Sequence, residues 1–125
     1  MNLLRTAAIL GAIAVAAGAF GAHGLDGRVP PHRIDTFETG VRLMMWHVPA
    51  LLLVALLRER FDGRALQAAA PLFLAGVVVF SGSLFALVLL DLPWLGAVTP
   101  IGGVCLIAGW ISLAVGVGRT DSSER

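Results

Sequence analysis

Five ionisable residues lie at or just inside the ends of long apolar segments: His23, Glu38, Arg42, His47 and Asp91. A charge inside a membrane helix is costly, about 2.5 to 3.5 kcal/mol for a central arginine, so each one needs a partner or a function. Glu38 and Arg42 are four residues apart with the acid first, the favourable orientation for an ion pair along a helix. We therefore expect His23, Glu38, Arg42 and Asp91 to form a polar cluster near the outer face of the membrane, with His47 beneath it.

Two interpretations of this polar cluster remain open. In the structural one, which we favour, Glu38 neutralises Arg42 while the arginine extends to the headgroups, and His23 donates to a carbonyl at a helix end. His47 then bonds a carbonyl that the nearby Pro49 leaves without its helical donor. In the functional one, the cluster binds a solute, a lipid headgroup or an ion.

Metal chemistry and nucleophilic catalysis have weaker support in the sequence. The chain has three histidines: His23, His32 and His47. Their spacing matches no metal-ligand motif. Ser81, Ser83 and Cys105 lack a neighbouring base in the sequence, and nucleophilic catalysis requires one. We predict no metal, no cofactor and no catalytic residue.

The elements that position these residues follow from composition. Hydrophobic residues make up 58% of the 125 residues, charged residues make up 14%, and the mean hydropathy is +0.88. A helix needs roughly 20 mostly apolar residues to cross a hydrocarbon core about 30 Å thick. Four such segments occur, approximately Leu3–Ala22, Thr39–Leu57, Ala65–Leu90 and Pro100–Gly118. They predict an all-α membrane protein with four transmembrane helices in a compact bundle.

Helix boundaries are marked by proline and by polar residues. Pro31 favours the start of a helix that continues to about Leu57. Thr99 followed by Pro100 predicts the start of the last helix, with the Thr99 hydroxyl as its N-cap. We expect residues 1–118 to form the transmembrane domain and residues 119–125 to form a short, disordered, polar cytoplasmic tail.

Small residues at helical spacing predict where the helices pack. In lipid, helix association relies on close backbone approach, which small side chains permit. The predicted packing positions are Ala7, Gly11, Ala14, Gly18, Gly21, Ser81, Gly82, Ser83, Gly102, Gly103 and Gly109. The first five lie on one stripe of the first helix.

The distribution of arginine predicts orientation. With the N-terminus inside, six arginines lie on the cytoplasmic side and three lie outside, so both termini are predicted to be cytoplasmic. The formal charge is only +1 and no basic stripe occurs, so we expect no nucleic-acid partner. The expected partners are the lipid bilayer and either further copies of the chain or other membrane proteins.

The first segment has a competing interpretation. Arg5, the apolar run and the small residues Ala17 and Ala19 also fit a secretory signal peptide. We favour retention of the segment, because the apolar run is longer than a usual signal core and its small residues suit helix packing.

Five motifs in order resemble one family: Gly18–Leu25, Phe37–Val41 with His47, Phe80–Leu84, Thr99–Gly103, and Gly109 with Trp110. Together these motifs are similar to those of the domain of unknown function 423 family. The resemblance implies a four-helix protein of the bacterial inner membrane, with mitochondrial relatives and no established activity.

The function predicted from these features is structural. We expect a helix-packing accessory, assembly or oligomeric component of the membrane, without enzymatic activity. The alternative is a protein that binds or transports a small solute, lipid or ion through the outer polar cluster. Transport has less support, because no carboxylate lies within any of the four apolar cores.

Overall fold

The computed structural model describes residues 2–123, which form four long helices. These are α1 (Leu3–His23), α2 (Pro31–Leu57), α3 (Arg64–Leu89) and α4 (Thr99–Ser123), and a short 3-10 helix, Pro93–Ala97, precedes α4. All four helices are long and apolar enough to cross a membrane. The predicted all-α membrane fold is therefore confirmed.

The structure confirms the predicted bounds of α2 but not the predicted end of α4. The helix expected from Pro31 to Leu57 is confirmed as the single helix α2. In contrast, α4 continues beyond Gly118 to Ser123, so residues 119–123 extend the last helix and are not the disordered tail that we expected. Residues 124 and 125 of that predicted tail lie outside the described residues.

Each helix packs mainly against its neighbours in the sequence: α1 against α2, α2 against α3, and α3 against α4. One end of the bundle, here called the loop end, carries the α1–α2 and α3–α4 connections. The opposite end, here called the terminal end, carries the start of α1, the α2–α3 connection and the end of α4. The largest fully buried side chains include Phe73, Leu51 and Leu66. A smaller apolar cluster around Leu25 and Phe37 lies below the α1–α2 connection.

The predicted small stripe of α1 faces α2. Ala7, Ala14 and Gly21 are buried in this interface. A Cβ atom built on Gly11 would lie 3.4 Å from Val48, and one on Gly18 would lie 3.4 Å from Val41. These two distances are ordinary van der Waals contacts, whereas a Cβ on Gly21 would lie 2.9 Å from the Phe37 ring. The glycines of α1 therefore meet side chains of α2 and not its backbone.

The antiparallel α3–α4 interface is tighter, because glycines of α4 meet the α3 backbone. The facing pairs are Phe80 with Gly102, Phe73 with Gly109, and Leu66 with Gly116, each one seven residues from the next. A Cβ on Gly102 would overlap the backbone nitrogen of Phe80 and lie 2.8 Å from its Cα. A Cβ on Gly116 would lie 2.9 Å from the backbone nitrogen of Leu66. Large residues on α3 therefore fill the space that glycine leaves on α4.

Two predicted packing positions contribute little. Gly82 is exposed, and a Cβ placed there would have no atom within 4 Å, so the prediction that it packs is wrong. Gly103 is half-buried and makes only a loose contact, with Phe80 ring atoms 3.8 Å from its Cβ position. Gly82 lies between Ser81 and Ser83, which both face neighbouring helices, and only one side of a helix can be covered at this position.

Candidate functional site

His47 is the most deeply buried ionisable residue of the predicted set, with 4% of its surface exposed. Its Nδ1 lies 2.5 Å from the carbonyl oxygen of Leu43, and Trp110 Nε1 donates to its Nε2 across 3.0 Å. A carbonyl oxygen only accepts and an indole N–H only donates, so Nδ1 carries the hydrogen and Nε2 carries the lone pair. His47 is therefore a neutral, fully bonded histidine that joins α2 to α4.

Aromatic rings enclose this histidine. The ring centroids of Phe73 and Trp110 lie 5.5 Å and 5.8 Å from that of His47, and the two rings meet each other edge to face at 5.1 Å. Gly109 makes room for Phe73, since a Cβ there would lie 2.6 Å from the ring.

The bond from His47 to Leu43 differs from our expectation, because the carbonyl that Pro49 leaves without a helical donor belongs to Met45.

Two hydroxyl contacts connect further helices. Ser81, with 0% of its surface exposed, donates to the carbonyl of Gly40 across 2.6 Å and so joins α3 to α2. The hydroxyls of Ser83 and Thr99 lie 2.6 Å apart and join α3 to α4. Thr99 Oγ1 also lies 3.2 Å from the carbonyl oxygen of Leu95, so its hydroxyl is used away from the α4 N-terminus that we expected it to cap.

At the loop end, an arginine absent from our predicted cluster closes the end of α3. Arg33 Nη2 lies 3.3 Å from Asp91 Oδ1, and Arg33 Nη1 donates to the carbonyl of Leu87 across 3.2 Å. The amide of Leu92 donates to the same carbonyl, and Asp91 has a φ of 52°. This is a helix C-terminal cap in which aspartate occupies the left-handed position that glycine usually takes. Arg33 adds a cation at the negative end of the helix dipole.

Within the described residues, the predicted polar cluster lacks the ion pair that we expected at its centre. Among residues 2–123, Asp91 pairs with Arg33 and not with Arg42, and no ion pair joins Glu38 to Arg42. Glu38 and Arg42 are exposed on the outward face of α2, and His23 is exposed at the end of α1.

His47 does not lie beneath Arg42 on the same face. It follows Arg42 by five residues, which rotates it by about 140° around a helix with 3.6 residues per turn. That rotation places His47 in the interior while Arg42 faces outward. Helical geometry therefore separates two residues that we expected to act together.

Metal binding and nucleophilic catalysis both need suitable side chains that lie close together. In the described part of the chain, no group of three or more His, Cys, Asp or Glu side chains could hold a metal ion. Ser81 and Ser83 bond helix backbones and Thr99, and Cys105 is half-buried with a free thiol. Sequence reasoning assigned no role to Arg33, an arginine in the first turn of α2, or to Trp110, although Trp110 belongs to the last of the five motifs that resemble the family.

Comparisons with known proteins give the same picture. The family model described as "Protein of unknown function (DUF423)" matches residues 17–103. The UPF0382 membrane protein YwdK of Bacillus subtilis is 45% identical over 112 residues, covering 86% of this chain and 91% of the relative. A UPF0382 membrane protein of Haemophilus influenzae is 38% identical over 119 residues, covering 95% of each chain. No solved structure matches. The resemblance seen in the motifs is thus confirmed, and the chain belongs to the DUF423 family of membrane proteins, whose biochemical activity is unknown.

Proposed function

We propose that this protein is a helix-packing component of the bacterial inner membrane that associates with other membrane proteins or with further copies of itself. The observation that carries the proposal is the use of its interior polar groups. Within residues 2–123, every buried side-chain nitrogen or oxygen has a hydrogen-bond partner. His47, Ser81, Ser83 and Thr99 connect helices, so their bonds serve assembly of the bundle and not recognition of a solute.

The outer surfaces supply the complementary argument. Only 11% of the most apolar window of α1 is buried, against 39% for α3, so α1 contributes most of its surface to the surroundings. On α4, Ile101, Val104, Ile107 and Ile111 are all about 60% exposed or more. Such apolar faces suit lipid or a neighbouring transmembrane helix. The proposal includes no catalytic step, because the buried hydroxyls of Ser81, Ser83 and Thr99 bond helix carbonyls or one another.

Photocrosslinking in native membranes tests the proposal. A photoreactive residue is introduced at Ala12 on the exposed side of α1, at Ile107 on the exposed side of α4, and at buried Ala14 as the matched control. We expect protein adducts of defined mass from Ala12 or Ile107 and none from Ala14. Mass spectrometry of the adducts separates a second copy from another protein. Lipid adducts alone at both exposed positions would refute the association.

The orientation is proposed separately, with both termini and the α2–α3 connection in the cytoplasm. The arginine count supports it, since Arg58, Arg60 and Arg64 lie around that one connection. After Cys105 is replaced by serine, single cysteines at Asp62 and Gly27 are labelled in intact cells with an impermeant reagent. Labelling is expected at Gly27 only, and labelling at Asp62 only would reverse the orientation.

A further inference from the structure

An open cavity of about 540 Å³ lies at the terminal end, where α1 begins, α2 ends and α3 passes through its first turns. Its lining has two kinds of residue. The polar part includes Asn2, Arg58, Glu59 and Gln67, and the apolar part includes Leu4 and Leu74. No residue of the predicted polar cluster contributes to it. The cavity is therefore a separate feature at the opposite end of the molecule.

The charged groups of this cavity are unpaired. Within the described part of the chain, neither Arg58 nor Glu59 makes an ion pair, and the side chain of Gln67 makes no hydrogen bond. Arg58 is nevertheless half-buried. A guanidinium that lies in a cavity without a protein acceptor favours a ligand that brings a negative charge, and phosphate matches its geometry.

Acceptor groups occupy the same cavity. Glu59 supplies a carboxylate, and Pro71, also in the wall, has no amide hydrogen. The carbonyl of Gln67, four residues before Pro71, therefore lacks its usual helical donor. Unused acceptors beside an unused cation match a ligand that carries a phosphate together with N–H donors.

The apolar wall indicates that such a ligand is the headgroup of a lipid. Leu4 and Leu74 belong to the membrane-spanning parts of α1 and α3, whereas Arg58 and Glu59 lie just beyond the end of α2. The cavity thus crosses from the polar end of the bundle into the apolar span, at the depth where a phospholipid headgroup joins its acyl chains.

We propose that this cavity binds a phosphate ester of a primary amine, the headgroup chemistry of phosphatidylethanolamine. Arg58 contacts the phosphate, whereas Glu59 and the Gln67 carbonyl accept from the ammonium. The acyl chains lie along the apolar wall formed by Leu4 and Leu74. This site is independent of the proposed association with other helices.

Native mass spectrometry of the full chain in a mild detergent measures the binding. Phosphatidylethanolamine and phosphatidylcholine with identical acyl chains are titrated separately. Choline has no N–H group, so we expect about tenfold weaker binding of phosphatidylcholine. Equal binding of the two lipids overturns the proposal, and this comparison needs no variant. Soluble glycerophosphoethanolamine separates the two sources of this chemistry: binding as tight as that of the lipid would assign the site to the free ester.

Two variants assign the roles, each with a matched control nearby. R58Q should weaken the binding of both lipids by about tenfold, because both carry the phosphate. E59Q should weaken only the binding of phosphatidylethanolamine, so that the two lipids then bind equally well. R60Q and D62N are the controls, since neither residue lines this cavity. If the controls weaken binding as much as R58Q and E59Q do, the effect is general surface charge and the assigned site is wrong.

Discussion

The α3–α4 and α1–α2 interfaces both use small residues, but they use them against different partners. In α3–α4, Gly102 and Gly116 meet backbone atoms of Phe80 and Leu66. In α1–α2, Gly11 and Gly18 meet the tips of valine side chains at 3.4 Å. A side chain can rotate to relieve a clash, whereas two packed helix backbones can separate only as whole elements. The first interface therefore fixes register, and the second tolerates adjustment.

Hydrogen bonds reinforce the same difference. The described part of α4 is connected to α3 through Thr99 and Ser83 and to α2 through Trp110 and His47. No side-chain hydrogen bond among the described residues joins α1 to another helix. We infer that α2, α3 and α4 form the rigid part of the bundle and that α1 is its most adjustable helix. Four predictions test this contrast, in order of decreasing effect.

Alanine at the tight glycines should have the largest effect. Gly102→Ala places a methyl group on the Phe80 backbone, and we expect a loss of about 2 to 3 kcal/mol in the free energy of unfolding. Gly18→Ala should change stability by less than about 1 kcal/mol, because its contact is ordinary and alanine favours the helix. Denaturation in one fixed detergent measures both. Gly82→Ala, at an open position, is the control, and equal losses at all three positions would remove the contrast.

Loss of the indole donor should have the next largest effect. Trp110→Phe keeps an aromatic ring beside Phe73 but leaves the buried Nε2 of His47 without a donor, at a cost of about 1 to 2 kcal/mol. Trp94→Phe is the matched control, because Trp94 is 62% exposed and its indole makes no hydrogen bond in the described structure. Thermal unfolding in the same detergent compares them. Identical shifts would show that the bond to His47 contributes nothing beyond packing.

Substitutions in the two connections at the loop end should change the free energy of unfolding by about 1 kcal/mol. Gly27 has a φ of 72°, so alanine there adds left-handed backbone strain of about 1 kcal/mol, whereas Asp91, with a φ of 52°, already carries such strain in the native chain. Asp91→Gly removes that strain while it loses an exposed ion pair with Arg33, and we expect a change within about 0.5 kcal/mol. A melting temperature for Asp91→Gly as low as that of Asp91→Ala would instead make the ion pair the main contribution.

Coupling between Glu38 and Arg42 should be the smallest effect. The sequence predicted an ion pair, but the structure shows none, so Glu38→Gln and Arg42→Gln should act additively within about 0.3 kcal/mol. A double-mutant cycle on the free energy of unfolding measures the coupling. A coupling above about 0.5 kcal/mol would restore the predicted pair and give α2 an additional stabilising contact.

The sequence by itself determined the number of helices, their spans and the family. These properties depend on local facts: every backbone group in a membrane segment must bond within its own helix, and the hydrocarbon thickness sets the length. Pro31 therefore marked the start of α2 correctly. The end of α4 was missed because its polar residues, such as Arg119, still allow a helix to continue beyond the apolar span.

Only the tertiary structure decided which polar groups meet. Spacing along α2 placed Glu38 near Arg42, but it did not reveal that both face outward, because the rotation of a helix is set by its neighbours. Asp91 pairs with Arg33, a residue 58 positions away in the chain, because two connections meet at one end of the bundle. The bond between Trp110 and His47 likewise depends on how α2, α3 and α4 pack, which no local pattern encodes.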